Sequence, residues 1–136
     1  MSEHRSIHEF RAQRERANQV VFAADHLGIK RFFRLDAAAY EPGGPGALDA
    51  RTKELLGLVA SAVLRCNDCI DYHLDQCVSR GWTKAEIVDA LNVALVVGGS
   101  IFIPHLRHAM LTLEELLPDQ PAASPAASSG HGDSGV

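Results

Sequence analysis

An all-α fold is what this sequence predicts, on three observations. Apolar residues recur at helical spacing through the second half of the chain, cap signals stand in front of them, and no stretch shows the period-two alternation of a half-buried strand. Five to six helices account for the pattern, and no internal repeat is evident.

Taken in order, residues 2–25 have helical composition, with Ile7, Phe10, Val20, Val21 and Ala24 as scattered apolar contacts. Arg14 interrupts the stripe, so this segment is expected to be an arm lying on the body or on a neighbouring subunit. Gly28 is expected to end it, as the residue after the C-cap. Residues 29–40 read as a second short helix carrying Phe32, Phe33 and Leu35. The run Glu41-Pro42-Gly43-Gly44-Pro45-Gly46 is a break, because neither proline nor glycine sustains a helix interior.

Asp49 is suited to N-cap a helix running to about Arg65, with Leu55, Leu56, Val59, Ala62 and Val63 as its buried stripe and Glu54 at the stripe's edge. Another helix is expected from about Asn67, which would cap it, to Gly81. Thr83-Lys84-Ala85-Glu86 has the form of a capping box. The helix it opens carries Ile87, Val88, Ala90, Leu91, Ala94, Leu95 and Val96, apolar on most sides, and belongs at the centre or at a subunit contact. Gly98-Gly99 breaks it, Ser100 is placed to cap the last helix, and Pro104 falls near that helix's first turn, where a missing N–H costs least. The domain reading is an arm and linker over 1–47, a helical core over 48–117, and a disordered Ala/Ser/Pro/Gly tail over 118–136.

A chain of 136 residues with 46% hydrophobic content is one ordinary globular domain in size and composition. Its net charge of −4 leaves no electrostatic footprint for nucleic acid, and the basic run from Arg11 to Arg16, broken by Glu15, reads as a solvated helix face. No apolar signal-peptide region follows Met1, and the longest apolar run, 93–104, is too short for a membrane span. A soluble cytoplasmic protein is expected. Three cysteines in a reducing compartment point to redox chemistry or metal rather than a disulfide framework.

The chemistry is concentrated in Cys66-Asn67-Asp68-Cys69-Ile70-Asp71-Tyr72-His73, with Glu54 upstream. Two thiols at C-x-x-C spacing can close a disulfide with little backbone movement. His73, four residues after Cys69, lies on the same helical face. Near a helix N-terminus Cys69 is favoured as a thiolate. Asp68 opposes that by placing negative charge beside it. On this reading Cys69 attacks a peroxide or disulfide, Cys66 resolves the intermediate, and His73 with Glu54 moves the proton. The scheme calls for no cofactor.

Other readings stand beside it: chance burial of two small residues, or a zinc site built from Cys66, Cys69, His73 and Cys77. Cys77 alone reads as packing, His105 and His108 as hydrogen-bonded structural histidines, and Trp82 as packing. A thioredoxin-type site would need a βαβ pattern, which is missing.

Lys53-Glu54-Leu55-Leu56, Cys66-x-x-Cys69-x-x-x-His73, Gly81-x-Thr83-x-x-Glu86-Ile87 and Gly98-Gly99 together resemble the AhpD-like branch of the carboxymuconolactone decarboxylase superfamily, over residues 48–112. The resemblance implies an all-helical fold assembled as homotrimers or homohexamers, with sites near subunit contacts. It implies an alkylhydroperoxidase or disulfide reductase acting on a small hydroperoxide or on a protein or small-molecule disulfide, recharged by a thiol electron donor. By position, Glu54, Cys66, Cys69 and His73 match the family's proton-relay and thiol residues, Cys69 being the reactive one. Some members carry histidine where this chain has Asp68. The decarboxylase branch, a lyase reading that would use His73 and Glu54 alone, does not rely on a C-x-x-C.

Overall fold

The structure is a computed structural model that describes residues 4–118; the tail expected over 118–136 lies almost wholly outside the described residues. Six α-helices and one short 3₁₀ turn make up the described residues: α1 Ile7–Ala23, α2 Leu27–Ala39, α3 Ala50–Val63, α4 Asn67–Ser79, α5 Lys84–Gly98, the turn Ser100–Phe102, and α6 Ile103–Leu116. None of them is long and apolar enough to cross a membrane.

Two of the cap signals place helix starts as expected. Asp49 accepts the Thr52 N–H at 2.7 Å, and Thr83 and Glu86 close their box in both directions. Pro104 sits in the first turn of α6, as expected.

Four local expectations are corrected. Gly28 lies inside the first turn of α2; α1 ends earlier because Asp25 takes the left-handed conformation at φ 54° that short polar side chains tolerate. Asn67 does not cap α4: its side chain is taken by His105, 2.8 Å away, and Cys66 stands at the cap position. Ser100 opens the 3₁₀ turn without a side-chain cap, and that turn carries Phe102 fully into the core. The buried face of α3 is Glu54, Gly57, Leu58, Ser61 and Ala62, so Leu56 is exposed, while Leu55, Val59 and Val63 are only partly buried against the core.

The core is one cluster in which Leu58 and Ala62 of α3 meet Ile70, Leu74 and Cys77 of α4, Ile87 and Leu91 of α5, and Phe102 and Leu113. The two-residue step from α3 into the cap of α4 makes an antiparallel hairpin. Trp82 fastens its open end: the indole N–H donates to the Arg51 carbonyl at 2.9 Å, and the Arg51 guanidinium stacks 3.5 Å above the ring. The arm lies on the body through Ile7 and Phe10, with Arg11 forked onto Asp75 at 2.6 and 2.8 Å. Helix α2 buries no side chain fully, although it carries Phe32, Phe33 and Leu35.

Candidate active site

The α3–α4 hairpin brings the four singled-out residues to one place. Cys66 is the N-cap of α4, its sulfur accepting the Cys69 N–H at 3.3 Å. The two sulfurs are bonded, with Cα atoms 5.3 Å apart, inside the range a disulfide requires. Cys69 therefore sits in the first turn of α4, where unpaired N–H groups and the helix dipole favour a sulfur anion. It is exposed and opens on a cleft of about 510 Å³, into which Tyr40, Tyr72 and His73 also face.

His73 is one turn further along the same face. Its Nδ1–H donates to Glu54 Oε1 at 2.9 Å, with Glu54 2% and His73 7% exposed. A carboxylate on Nδ1 leaves Nε2 as the acceptor that points toward the cleft. The Tyr40 hydroxyl stands 3.4 Å from that Nε2. Burial pushes the Tyr40 and Tyr72 hydroxyls up, so both are protonated donors at neutral pH.

Gly57, one turn of α3 below Glu54, is a residue the sequence did not single out. A Cβ there would lie 2.6 to 2.9 Å from three atoms of the His73 ring. Glycine is required because the imidazole lies directly on the α3 backbone. Tyr40 was also missed; it caps the C-terminus of α2, and its hydroxyl approaches His73 on α4. Neither residue has a local sequence signal, since each is defined by contact with His73.

The zinc arrangement is not assembled. Cys77 is fully buried in the apolar core, and burial pushes its thiol up to about 12. Among the described residues no group of three or more His, Cys, Asp or Glu side chains is placed to hold a metal. Cys77 should thus be inert in the native state. After chemical reduction, iodoacetamide at pH 8 should label two thiols per folded chain and a third only in denaturant; three native labels would contradict the packing.

His105 and His108 are structural in the expected sense: the first donates to Asn67, the second to Asp71 Oδ1 at 2.8 Å. Asp71, 1% exposed, also accepts the Thr112 hydroxyl at 2.7 Å and faces the Arg5 guanidinium at 3.5 Å. It is a buried anchor between α4, α6 and the arm.

Comparison with known proteins places the chain among relatives of the same fold. A protein of Thermotoga maritima is 55% identical and superposes with a TM-score of 0.76 over 81% of this chain and 94% of its own. A second crystal structure of that same Thermotoga maritima protein, described as a carboxymuconolactone decarboxylase family protein suggested to take part in an antioxidative response, superposes with a TM-score of 0.74 over 81% of this chain and 91% of its own. A Legionella pneumophila protein of the same family, 23% identical with a TM-score of 0.72 over 81% of this chain and 96% of its own, shares the fold. A Paracoccus denitrificans protein designated uncharacterized protein 4 in the cox locus is 32% identical over 71 residues; the match takes in 52% of this chain and 64% of that protein. The carboxymuconolactone decarboxylase family matches residues 29–115. With most of the chain inside that match, and with the pair Cys66–Cys69 at the head of α4, this protein belongs to the carboxymuconolactone decarboxylase family.

Proposed function

We propose that the protein is a thiol-dependent antioxidant oxidoreductase cycling between a dithiol and the Cys66–Cys69 disulfide. The observation that carries this reading is a bonded C-x-x-C pair whose Cys69 opens on the same cleft as an imidazole held by a buried carboxyl. With a hydroperoxide ROOH, the Cys69 thiol passes its proton to His73 Nε2, the thiolate attacks the distal oxygen, the O–O bond breaks, and ROH leaves with that proton returned from His73. Cys69 is then a sulfenic acid. The Cys66 thiol attacks its sulfur, forming the disulfide and releasing water. Two electrons from an external dithiol restore both thiols. Against a disulfide substrate the same sulfur forms a mixed disulfide, and Cys66 releases the second thiol.

Addition of one equivalent of organic hydroperoxide to reduced protein should lower the intact mass by two hydrogens and remove the two reactive thiols. An unchanged mass would overturn the reading. A lyase using Glu54 and His73 without redox change is the competing reading, and would survive replacement of both cysteines by serine.

Self-association belongs to the same proposal. Val96 is 76% and Val97 69% exposed on α5, and Phe32 and Leu35 on α2 are exposed to 66% and 68%. So many large apolar side chains on one small domain call for a partner surface. Light scattering at micromolar concentration should give the mass of a trimer or hexamer, and a monomer would contradict it. The thiols that recharge the pair would be those of a reducing cytoplasm.

A further inference from the structure

Asp68 immediately precedes Cys69, and its negative charge works against a thiolate there. The structure places a cation on it. Arg5, just ahead of α1 and outside residues 29–115, donates from Nη2 to Asp68 Oδ1 at 2.7 Å. An exposed ion pair of this kind is normally worth little, because two long side chains must be ordered to make it. Arg5 is already ordered. Its Nη1 donates to Gln13 at 2.8 Å, its guanidinium lies 4.8 Å from the centre of the Phe10 ring, and the buried Asp71 carboxylate is 3.5 Å from Nη2. Asp71 is in turn fixed by Thr112 and His108.

Arg5 and Asp68 both line the cleft on which Cys69 opens. The other charged or titratable groups facing that cleft are Arg14 on α1, Asp36 on α2, Tyr40, and Tyr72 and His73 on α4, with Glu54 behind His73. Arg14 lies over the Tyr72 ring, 4.3 Å from its centre. Arg5 alone of these cations pairs with the carboxylate next to the sulfur.

We propose that Arg5 is a positioning residue of the thiol site, neutralising Asp68 so that Cys69 stands as a thiolate. The arm is then part of the redox site, and a chain lacking the docked arm has a weaker nucleophile. The inference rests on Cys69 as the attacking sulfur, but thiol titration reads it without turnover, so the two fail separately.

The test uses the Cys66→Ser background, in which Cys69 is the one accessible thiol because Cys77 is buried. Iodoacetamide labelling is followed against pH. Arg5→Gln should raise the midpoint by about one unit. At a pH below both midpoints, labelling should then slow by about threefold, since tenfold less thiolate is partly offset by its greater nucleophilicity. Asp68→Asn should lower the midpoint, and the double variant should return close to the parent. An unchanged midpoint in Arg5→Gln overturns the proposal. So does a shift that Asp68→Asn fails to reverse, which would mean that arm placement rather than charge is at work. Should Arg5→Gln not fold by circular dichroism, Asp68→Asn decides alone: with Arg5 in place its midpoint must fall, and no fall overturns the proposal.

Discussion

Cys69→Ser is expected to abolish turnover, while Cys66→Ser retains a single stoichiometric reaction and then stops. The asymmetry follows from where α4 begins. Cys69 lies inside the first turn, exposed to the cleft, whereas Cys66 is half-buried at the cap with its sulfur turned onto the Cys69 N–H. In the proposed cycle, the sulfur placed to reach substrate and to gain from the helix dipole is therefore Cys69. Losing the nucleophile should cost on the order of 10³-fold or more in kcat/KM. Cys66→Ser keeps a capping oxygen, so the helix start survives, but no second sulfur closes the disulfide. Mass spectrometry after one equivalent of hydroperoxide should then show Cys69 carrying one added oxygen, or a mixed disulfide if thiol is present. Equal multiple turnover by Cys66→Ser and wild type would remove the dithiol cycle from consideration.

The second large effect is expected at Gly57. Alanine is ordinarily the better helix residue by about 1 kcal/mol, so Gly57→Ala would stabilise a helix with open space beside it. Here the new methyl meets His73 Cε1 at 2.6 Å and Nε2 at 2.8 Å. The ring cannot step aside freely, because Glu54 holds Nδ1 at 2.9 Å on one side and the Tyr40 ring centre stands 5.3 Å away on the other. Overpacking of this kind costs about 1–3 kcal/mol, which outweighs the propensity gain. The effect on rate should be larger than that on stability. A displacement of the imidazole by about 1 Å is enough for roughly a hundredfold loss in turnover. Thermal unfolding and kcat/KM measured together separate the two. A variant as active as wild type would show that His73 takes no part in the proton path.

Much of the fold was legible because helix ends are written locally. Asp49 and the Thr83–Glu86 box act within one turn of the residues they cap, so spacing alone identifies them. The failures share a cause as well. Asn67 is as good a cap as Asp49 by composition, yet His105, from 38 residues further on, takes its side chain and leaves the cap to Cys66. The stripe assigned to α3 chose the most apolar arc, but the helix is rotated so that Glu54 faces His73 and Gly57 lies under its ring. That leaves Leu56 exposed at 52%, an arrangement a hydrophobicity pattern cannot anticipate because a buried hydrogen-bonded pair, Glu54 and His73, sets it.

The sequence by itself determined that the chain is helical, where α3 and α5 start, and that two sulfurs, an imidazole and a carboxyl stand at spacings a helical hairpin can gather. Those are short-range properties, fixed by period and by caps. Only the tertiary structure decided that Cys66 caps and Cys69 faces the cleft, that Gly57 and Tyr40 enclose His73, and that Arg5 reaches Asp68 across 63 residues of chain. Contacts between elements depend on how helices rotate against one another, and that is settled by the packing of the whole core rather than by any one segment.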